Sequence, residues 1–333
     1  MNGNSQSHEK LMKEFFDIAL MDEQQFLEQL GERLQELTEQ PAFEVFSIAT
    51  HKEKWICVDK NDKQSYSKKA KEAEDYDLFN LVVIDHNRIL GYINREDLRE
   101  EQWNKMVRWN EKSLDAETKL TDVIGKLFRD SSGITRRERS PLYFVNLKLN
   151  GVVEPLGIIT FWDLNRAPAY TLSYAVLVYL EHTLLDLIRE THETWEDHSS
   201  IVEKCKSEQV KILLRMRNPT IEEISAKWYL RDLIEFCEKD PHVSPLCTEI
   251  DETLMECLDG PRDECLRNRI GHSIKLLVRD DKNYRCDLEK LERLWSSGKK
   301  AFGKFSNPKV RIKSQKVIIP KGSTTPFNFK LTK

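Results

Sequence analysis

The chain lacks the spacings that mark metal and disulfide proteins. Its seven cysteines (Cys57, Cys205, Cys237, Cys247, Cys257, Cys265 and Cys286) form no C-x-x-C pair and are odd in number. That pattern argues against a disulfide scaffold or a zinc ribbon, and buried free thiols are expected instead. The eight histidines show neither H-x3-H nor H-E-x-x-H spacing, so no metal site is expected. Long apolar runs are missing too. The longest, "YAVLVYL" from Tyr174 to Leu180, is followed by Glu181 and His182, with Asp186 soon after. It falls far short of the roughly 20 apolar residues a bilayer span needs. The opening "MNGNSQSHEKLMKEFF" has no charged-then-apolar signal pattern, and a cytoplasmic protein without a membrane segment is expected.

What is present is a globular composition, 39% hydrophobic and 32% charged, over 333 residues. That length suggests about two or three domains. The net charge of −4 conceals an asymmetry: residues 299–333 hold ten Lys/Arg and no Asp/Glu, which leaves −14 on residues 1–298. A basic tail on an acidic body points to a polyanion contact or to docking on the body itself.

Residues 1–42 form the first unit. Leu11, Phe15 and Ile18, then Phe26, Leu30, Leu34 and Leu37, recur at threes and fours until Pro41, which predicts one or two amphipathic helices. Residues 43–170 then repeat one grammar twice: helix, apolar strand, polar turn, second apolar strand, short acidic helix start. The first copy ends in "LVVIDHNRILGYINREDLRE" (Leu81 to Glu100). The second holds "KLTDVIGKLFRD" and "PLYFVNLKLNGVVEPLGIITFWDLNR" (Pro141 to Arg166). Internal duplication of this kind organises a whole fold. From Tyr170 the strand grammar stops. Five or six helical segments follow over residues 171–299, including a stretch from Thr220 with Glu223 three residues on, and one from Pro261 to Val278. In the tail, 300–333, "KVRIK" and "FNFKL" alternate around "PKGSTTP", a pattern for a basic β-hairpin. The fold class expected is α+β multidomain.

The duplicated segments resemble a tandem pair of CBS domains, each β-α-β-β-α. The family's ribose–phosphate motif runs Gly, apolar, any, Ser/Thr, two residues, Asp/Asn. In the second repeat it stands as Gly157-Ile158-Ile159-Thr160-Phe161-Trp162-Asp163; in the first, Gly91-Tyr92-Ile93 is followed by Asn94 in place of the hydroxyl residue, then Asp97. The resemblance implies an adenine nucleotide as regulatory ligand, held at Thr160, Asp163, Asn94 and Asp97. A hydroxyl and backbone N–H groups at a helix start suit phosphate, and a carboxylate suits ribose hydroxyls. Arg136, Arg137 and Arg139 in "ITRRERSP" are either a phosphate clamp or a solvated loop.

"CLRNRIGHS" (Cys265 to Ser273) carries Arg267, Asn268 and His272 in one short stretch late in the helical region. With "WYLRDLIEFCEKD" and an acidic helix before it, this region resembles HEPN domains, whose hallmark is Arg, a polar residue, a few more residues, then His. The resemblance implies a metal-independent endoribonuclease working as a homodimer on single-stranded RNA, with Arg267, Asn268 and His272 catalytic and no cofactor. By the family's analogy it would be a toxin or a stress or antiviral defence effector. His272 is the proton-moving group and Arg267 the permanent cation for phosphate. Arg269, Lys299, Lys300 and Lys304 are expected to contact the RNA. On a regular helix Arg267 and His272 would point about 140° apart, which favours a composite dimeric site. The same residues also permit a structural reading: a buried stripe of Cys265, Ile270, Ile274 and Leu277, with Arg267 and His272 paired to acids such as Asp263. Glu181 and Asp186, on the first helix of this region, either face the cleft or are solvated. The alternative function is a non-catalytic nucleotide sensor whose helices serve dimerisation or partner binding; a third is a nucleic-acid-binding regulator acting through the tail.

Overall fold

The computed structural model describes residues 43–305 except 87, 132–140, 150–151, 192–207, 217–222, 225–226, 262–263, 273–274 and 280–282. The expected N-terminal helices, the Arg136–Arg139 loop, the Thr220 cap, Asp263, Ile274 and the basic strands beyond 305 lie outside the described residues.

Apolar strands need partners for their backbone groups, and the duplicated segments supply two four-stranded sheets. The chain begins with α1 (Val45–Ile48) and β1 (Thr50–His51). The first repeat is β2 (Cys57–Asp59), α2 (Tyr66–Asp75), β3 (Asn80–Asp85), β4 (Arg88–Asn94) and α3 (Arg95–Arg99). After β5 (Val107–Arg108), the second repeat is β6 (Ser113–Asp115), α4 (Leu120–Asp130), β7 (Tyr143–Leu149) and β8 (Val152–Ile159). In each repeat the first strand pairs parallel with the second, and the last two form an antiparallel hairpin. The first hairpin turns through His86, whose φ of 46° is the left-handed value that tight hairpin turns require.

The fourth strand of each sheet is exchanged. β1, which precedes the first repeat, pairs with β8 of the second; β5, which precedes the second, pairs with β4 of the first. This explains the motif glycines. Gly91 lies opposite Arg108 and Gly157 opposite His51. A Cβ on Gly91 would fall 1.9 Å from the Val107 carbonyl oxygen, and one on Gly157 2.9 Å from Ala49 Cβ. Only a residue without a side chain lets the exchanged strand approach.

The continuous run "LVVI" is buried on both faces. Leu81 and Val83 pack with Val58, Ala70 and Ile93 beneath α2. Val82 and Ile84 face the other way, into a cluster with Tyr92, Phe144 and Ile158 that joins the two sheets. Burial on both faces removes the alternation expected of a half-solvated strand.

The helical region includes, among the described residues, α5 (Ala167–Thr191), α6 (Glu208–Met216), α7 (Leu230–Lys239), α8 (Ser244–Leu258), α9 (Leu266–Gly271) and α10 (Tyr284–Phe305). α8 and α10 both pack on α5, and α7 packs on α8. The core does not break at the expected boundary near 170. Phe161, Leu164 and Ala169 belong to one cluster with Val176, Leu254 and Trp295, and α10 also lies against α4 of the second repeat. The molecule is therefore α+β, with its helices and second sheet sharing one interior.

Three expected boundaries are corrected. The helix expected from Pro261 to Val278 is, among the described residues, regular only over the six residues Leu266–Gly271. The one expected over Thr220–Asp240 is interrupted: Glu223 and Ile224 are helical, Lys227–Tyr229 are not, and α7 starts afresh at Leu230, where the Asp232 carboxylate accepts the Tyr229 N–H at 2.9 Å. The tail expected from 300 begins later, because α10 runs to Phe305. Among the described residues, Ala167–Arg189 is the one stretch of helix long and apolar enough to cross a membrane, and 61% of that window is buried inside the protein.

Candidate functional site

α9 is amphipathic over barely two turns. Leu266, Arg269 and Ile270 are buried, while Arg267 is exposed and Asn268 half-buried. Cys265 caps the helix in extended conformation, and His272 leaves it at the other end with φ −124° and ψ 89°. That departure matters. Placing His272 outside the helix frees it from the 140° offset of a continuous one, and it stands exposed at the protein surface as Arg267 does. Cys265, Ile270 and Leu277 do form a buried stripe, so the structural half of the alternative reading coexists with an outward-facing Arg267 and His272.

Arg267 does not stand alone. Its Nε lies 4.0 Å from Oε1 of Glu181 on α5, and its Nη1 is 3.4 Å from Asn268 Oδ1. The Glu181 Oε1 is buried and accepts no hydrogen bond among the described residues. Burial pushes this carboxyl above its ordinary range, and the Arg267 charge only partly offsets that. Glu181 is thus a half-desolvated acid beside the motif. The sequence signal for it was its position, seven residues after exposed Tyr174 and so on the same outward face of α5.

Beneath the motif lies a buried ion cluster. Arg269 donates from Nη1 and Nη2 to the two oxygens of Asp287, at 2.9 and 2.7 Å. Its Nη1 also reaches the carbonyls of Leu276 and Leu277, at 3.2 and 2.7 Å. Arg279 adds its backbone N–H, Nε and Nη2 to the same carboxylate, at 3.0, 2.9 and 3.0 Å. Burial pushes the Asp287 carboxyl up, but the bonds from Arg279 and Arg269 together outweigh it and hold the group below the usual carboxylate range. The RNA-contact role expected for Arg269 is corrected here. The residue is 3% exposed and its fork is committed to Asp287 and the 276–277 backbone. Spacing put Arg269 on the face of His272, but that face of α9 is the inner one.

The positions carrying the nucleotide resemblance are equivalent in the two repeats and are helix caps in both. The side-chain oxygen of Asn94 accepts the Glu96 N–H at 3.0 Å, and buried Asp97 takes an ion pair from Lys105 at 2.9 Å. Thr160 Oγ1 accepts the Trp162 N–H at 3.2 Å and donates to Asp163 Oδ2 at 3.1 Å. Asp163 Oδ2 also accepts the Thr160 N–H, and Oδ1 takes Thr50 Oγ1 and Arg166 Nη2, each at 2.9 Å. Burial raises the Asp163 carboxyl despite Arg166 and these hydrogen bonds. A ligand taking this carboxylate must therefore exchange existing bonds for its own. Lys299 and Lys300 are exposed on α10, with Lys299 in a 3.4 Å pair to Asp122 of α4; Lys304 lies in the last turn of α10. Exposed pairs of that kind contribute little to stability and leave the lysine available. Among the described residues, no group of three or more His, Cys, Asp or Glu is placed to hold a metal ion.

No protein-family model matches this chain, and no curated protein matches it. Among solved structures it is similar to one described as the crystal structure of a functionally unknown conserved protein domain from Neisseria meningitidis MC58. The identity is 18%, the match covers 49% of this chain and 99% of that one, and the TM-score is 0.27. A likeness of that degree says nothing about function.

Proposed function

We propose that the protein is a cytoplasmic, metal-independent endoribonuclease of HEPN type, controlled by an adenine nucleotide bound to a CBS-like pair of repeats and suited to a stress or defence role. The observation that carries the reading is the pairing of an exposed Arg267 with an exposed His272 at opposite ends of a six-residue helix whose inner face is locked by Arg269 and Asp287. A platform that presents two exposed, chemically distinct groups is what phosphodiester cleavage requires. The RNA 2′-oxygen attacks the adjacent phosphorus, a new P–O2′ bond forms and the P–O5′ bond breaks, leaving a cyclic phosphate and a free 5′-hydroxyl. His272 moves the proton, because one imidazole nitrogen can accept a proton while the other donates. Arg267 stabilises charge on the phosphoryl oxygens, and Asn268 orients it. A second copy of the chain completes the site by placing two such surfaces face to face. The reciprocal strand exchange and the paired cap positions support the CBS-like reading of the repeats.

A non-catalytic sensor is the second reading, and the 4.0 Å approach of Glu181 to Arg267 favours it, since that carboxylate offsets the cation needed for phosphate. Cleavage of mixed-sequence single-stranded RNA in excess EDTA separates the two. Wild-type activity that His272→Ala abolishes, with an unchanged melting temperature because the side chain is exposed, supports the nuclease. Absence of cleavage by the wild type, with and without adenine nucleotides, refutes it and leaves the sensor.

A further inference from the structure

The segment that follows the motif, residues 275–279, is held from two sides. From within the helical region come the Arg269 bonds to the Leu276 and Leu277 carbonyls and the Asp287 bond to the Arg279 N–H. From the other side come two residues at the exit of the second repeat. Asn165 Nδ2 donates to the Val278 carbonyl at 2.9 Å, and its Oδ1 accepts the Val278 N–H at 2.9 Å. The carboxamide thus pairs with one residue's backbone as a neighbouring strand would. The Tyr170 hydroxyl donates to the Lys275 carbonyl, and the Lys275 N–H in turn binds the carbonyl of His272 at 2.9 Å. Nearby, Phe161 packs against Tyr284, ring centroids 5.1 Å apart, at the start of α10.

Asn165 is not an isolated clamp. It is the last residue of the single 3-10 turn Phe161–Asn165 that Thr160 caps and Asp163 closes. The same turn therefore carries the cap residues Thr160 and Asp163 at one end and the grip on the motif loop at the other. Asp163 is also tied to Thr50 and Arg166, and Arg166 to the Ala49 carbonyl at 3.0 Å. Any group that competes for Thr160 or Asp163 acts on a turn too short to absorb the change internally.

We infer that Asn165 is a positioning residue that couples the Thr160–Asp163 cap to the segment carrying His272, through its paired hydrogen bonds to Val278. This rests on the reading of the cap as the ligand half-site and of α9 as the reacting surface. The contacts are physical and contiguous, but coupling is a statement about energy and needs a cycle to establish it.

The test is hydrogen exchange followed by mass spectrometry on the full chain, comparing wild type, Thr160→Val, Asn165→Ala and the double variant. Asn165→Ala removes both bonds to Val278 and is expected to speed exchange over 275–279 by about tenfold. Thr160→Val loosens the cap and is expected to speed exchange over 275–279 several-fold in the wild-type background and to add nothing once Asn165 is gone. Equal acceleration by Thr160→Val in both backgrounds, or none in either, overturns the coupling. A merely structural Asn165 gives additive effects. Should Asn165→Ala not fold, Asn165→Asp, which keeps the acceptor and loses the donor, takes its place with the same two outcomes. No RNA or nucleotide enters the measurement, so a chain that fails to cleave RNA and a chain that fails to couple are separate results.

Discussion

Replacing Asp287 by Asn isolates what the buried cluster contributes. The wild-type carboxylate accepts five hydrogen bonds, two from Arg269 and three from Arg279. Both it and Arg269 are almost fully buried, with side-chain exposures of 1% and 4%. An amide of the same shape keeps one acceptor oxygen and turns its NH2 toward guanidinium donors, leaving the Arg269 charge uncompensated in the interior. Breaking a buried pair in this way costs about 3–5 kcal/mol. For a cooperative unit of this size that corresponds to a melting temperature lower by roughly 6–20 °C at pH 7. The pH dependence carries the sign. Because the folded protein holds Asp287 below its ordinary range, its stabilisation is complete above the unfolded carboxylate value and is lost as pH falls through the depressed folded value. Circular dichroism melts at pH 7 and then at successively lower pH should therefore show the gap between wild type and Asp287→Asn widest near neutrality and closing in acid. A gap under about 2 °C at pH 7, or one that persists unchanged in acid, would refute the account of the cluster as a net stabilising lock.

Two further perturbations test the fold. Gly91→Ala should lower the melting temperature more than Gly157→Ala, since the first new methyl meets the Val107 backbone at 1.9 Å and the second a side-chain methyl at 2.9 Å; the reverse order would refute the strand-exchange explanation of these glycines. Thiol modification of the native protein at pH 8, mapped by peptide, should label Cys286 first among the described cysteines. Cys237, Cys247, Cys257 and Cys265 are buried, and burial pushes Cys257 up to about 12. Rapid labelling of Cys257 in the folded chain would show that this interior opens.

Much of the architecture is legible in the sequence. Duplicated apolar runs with polar turns announce paired strands because hairpin pairing and helix caps are local, decided within a few residues; "LVVIDHNRIL" and the Asn94 and Thr160 caps behave accordingly. The length and apolar character of α5 were likewise written in its own 25 residues. The motif residues Arg267, Asn268 and His272 could be picked out by type and order alone.

What pattern could not decide is which partner each segment finds. The pairing of β1 with β8 joins residues more than a hundred positions apart, and only the closed pair of sheets determines that exchange. The end of α9 at Gly271 is equally non-local. The Arg269 fork, the carboxylate of Asp287 and the carboxamide of Asn165 draw residues 276–279 out of helical geometry, though the local sequence permits a longer helix. Those tertiary hydrogen bonds also reverse the role of Arg269, from a charge offered to solvent to one consumed inside. Charge and periodicity determined where a helix could form; the burial of one carboxylate eighteen residues away decided where it stops and which arginine faces out.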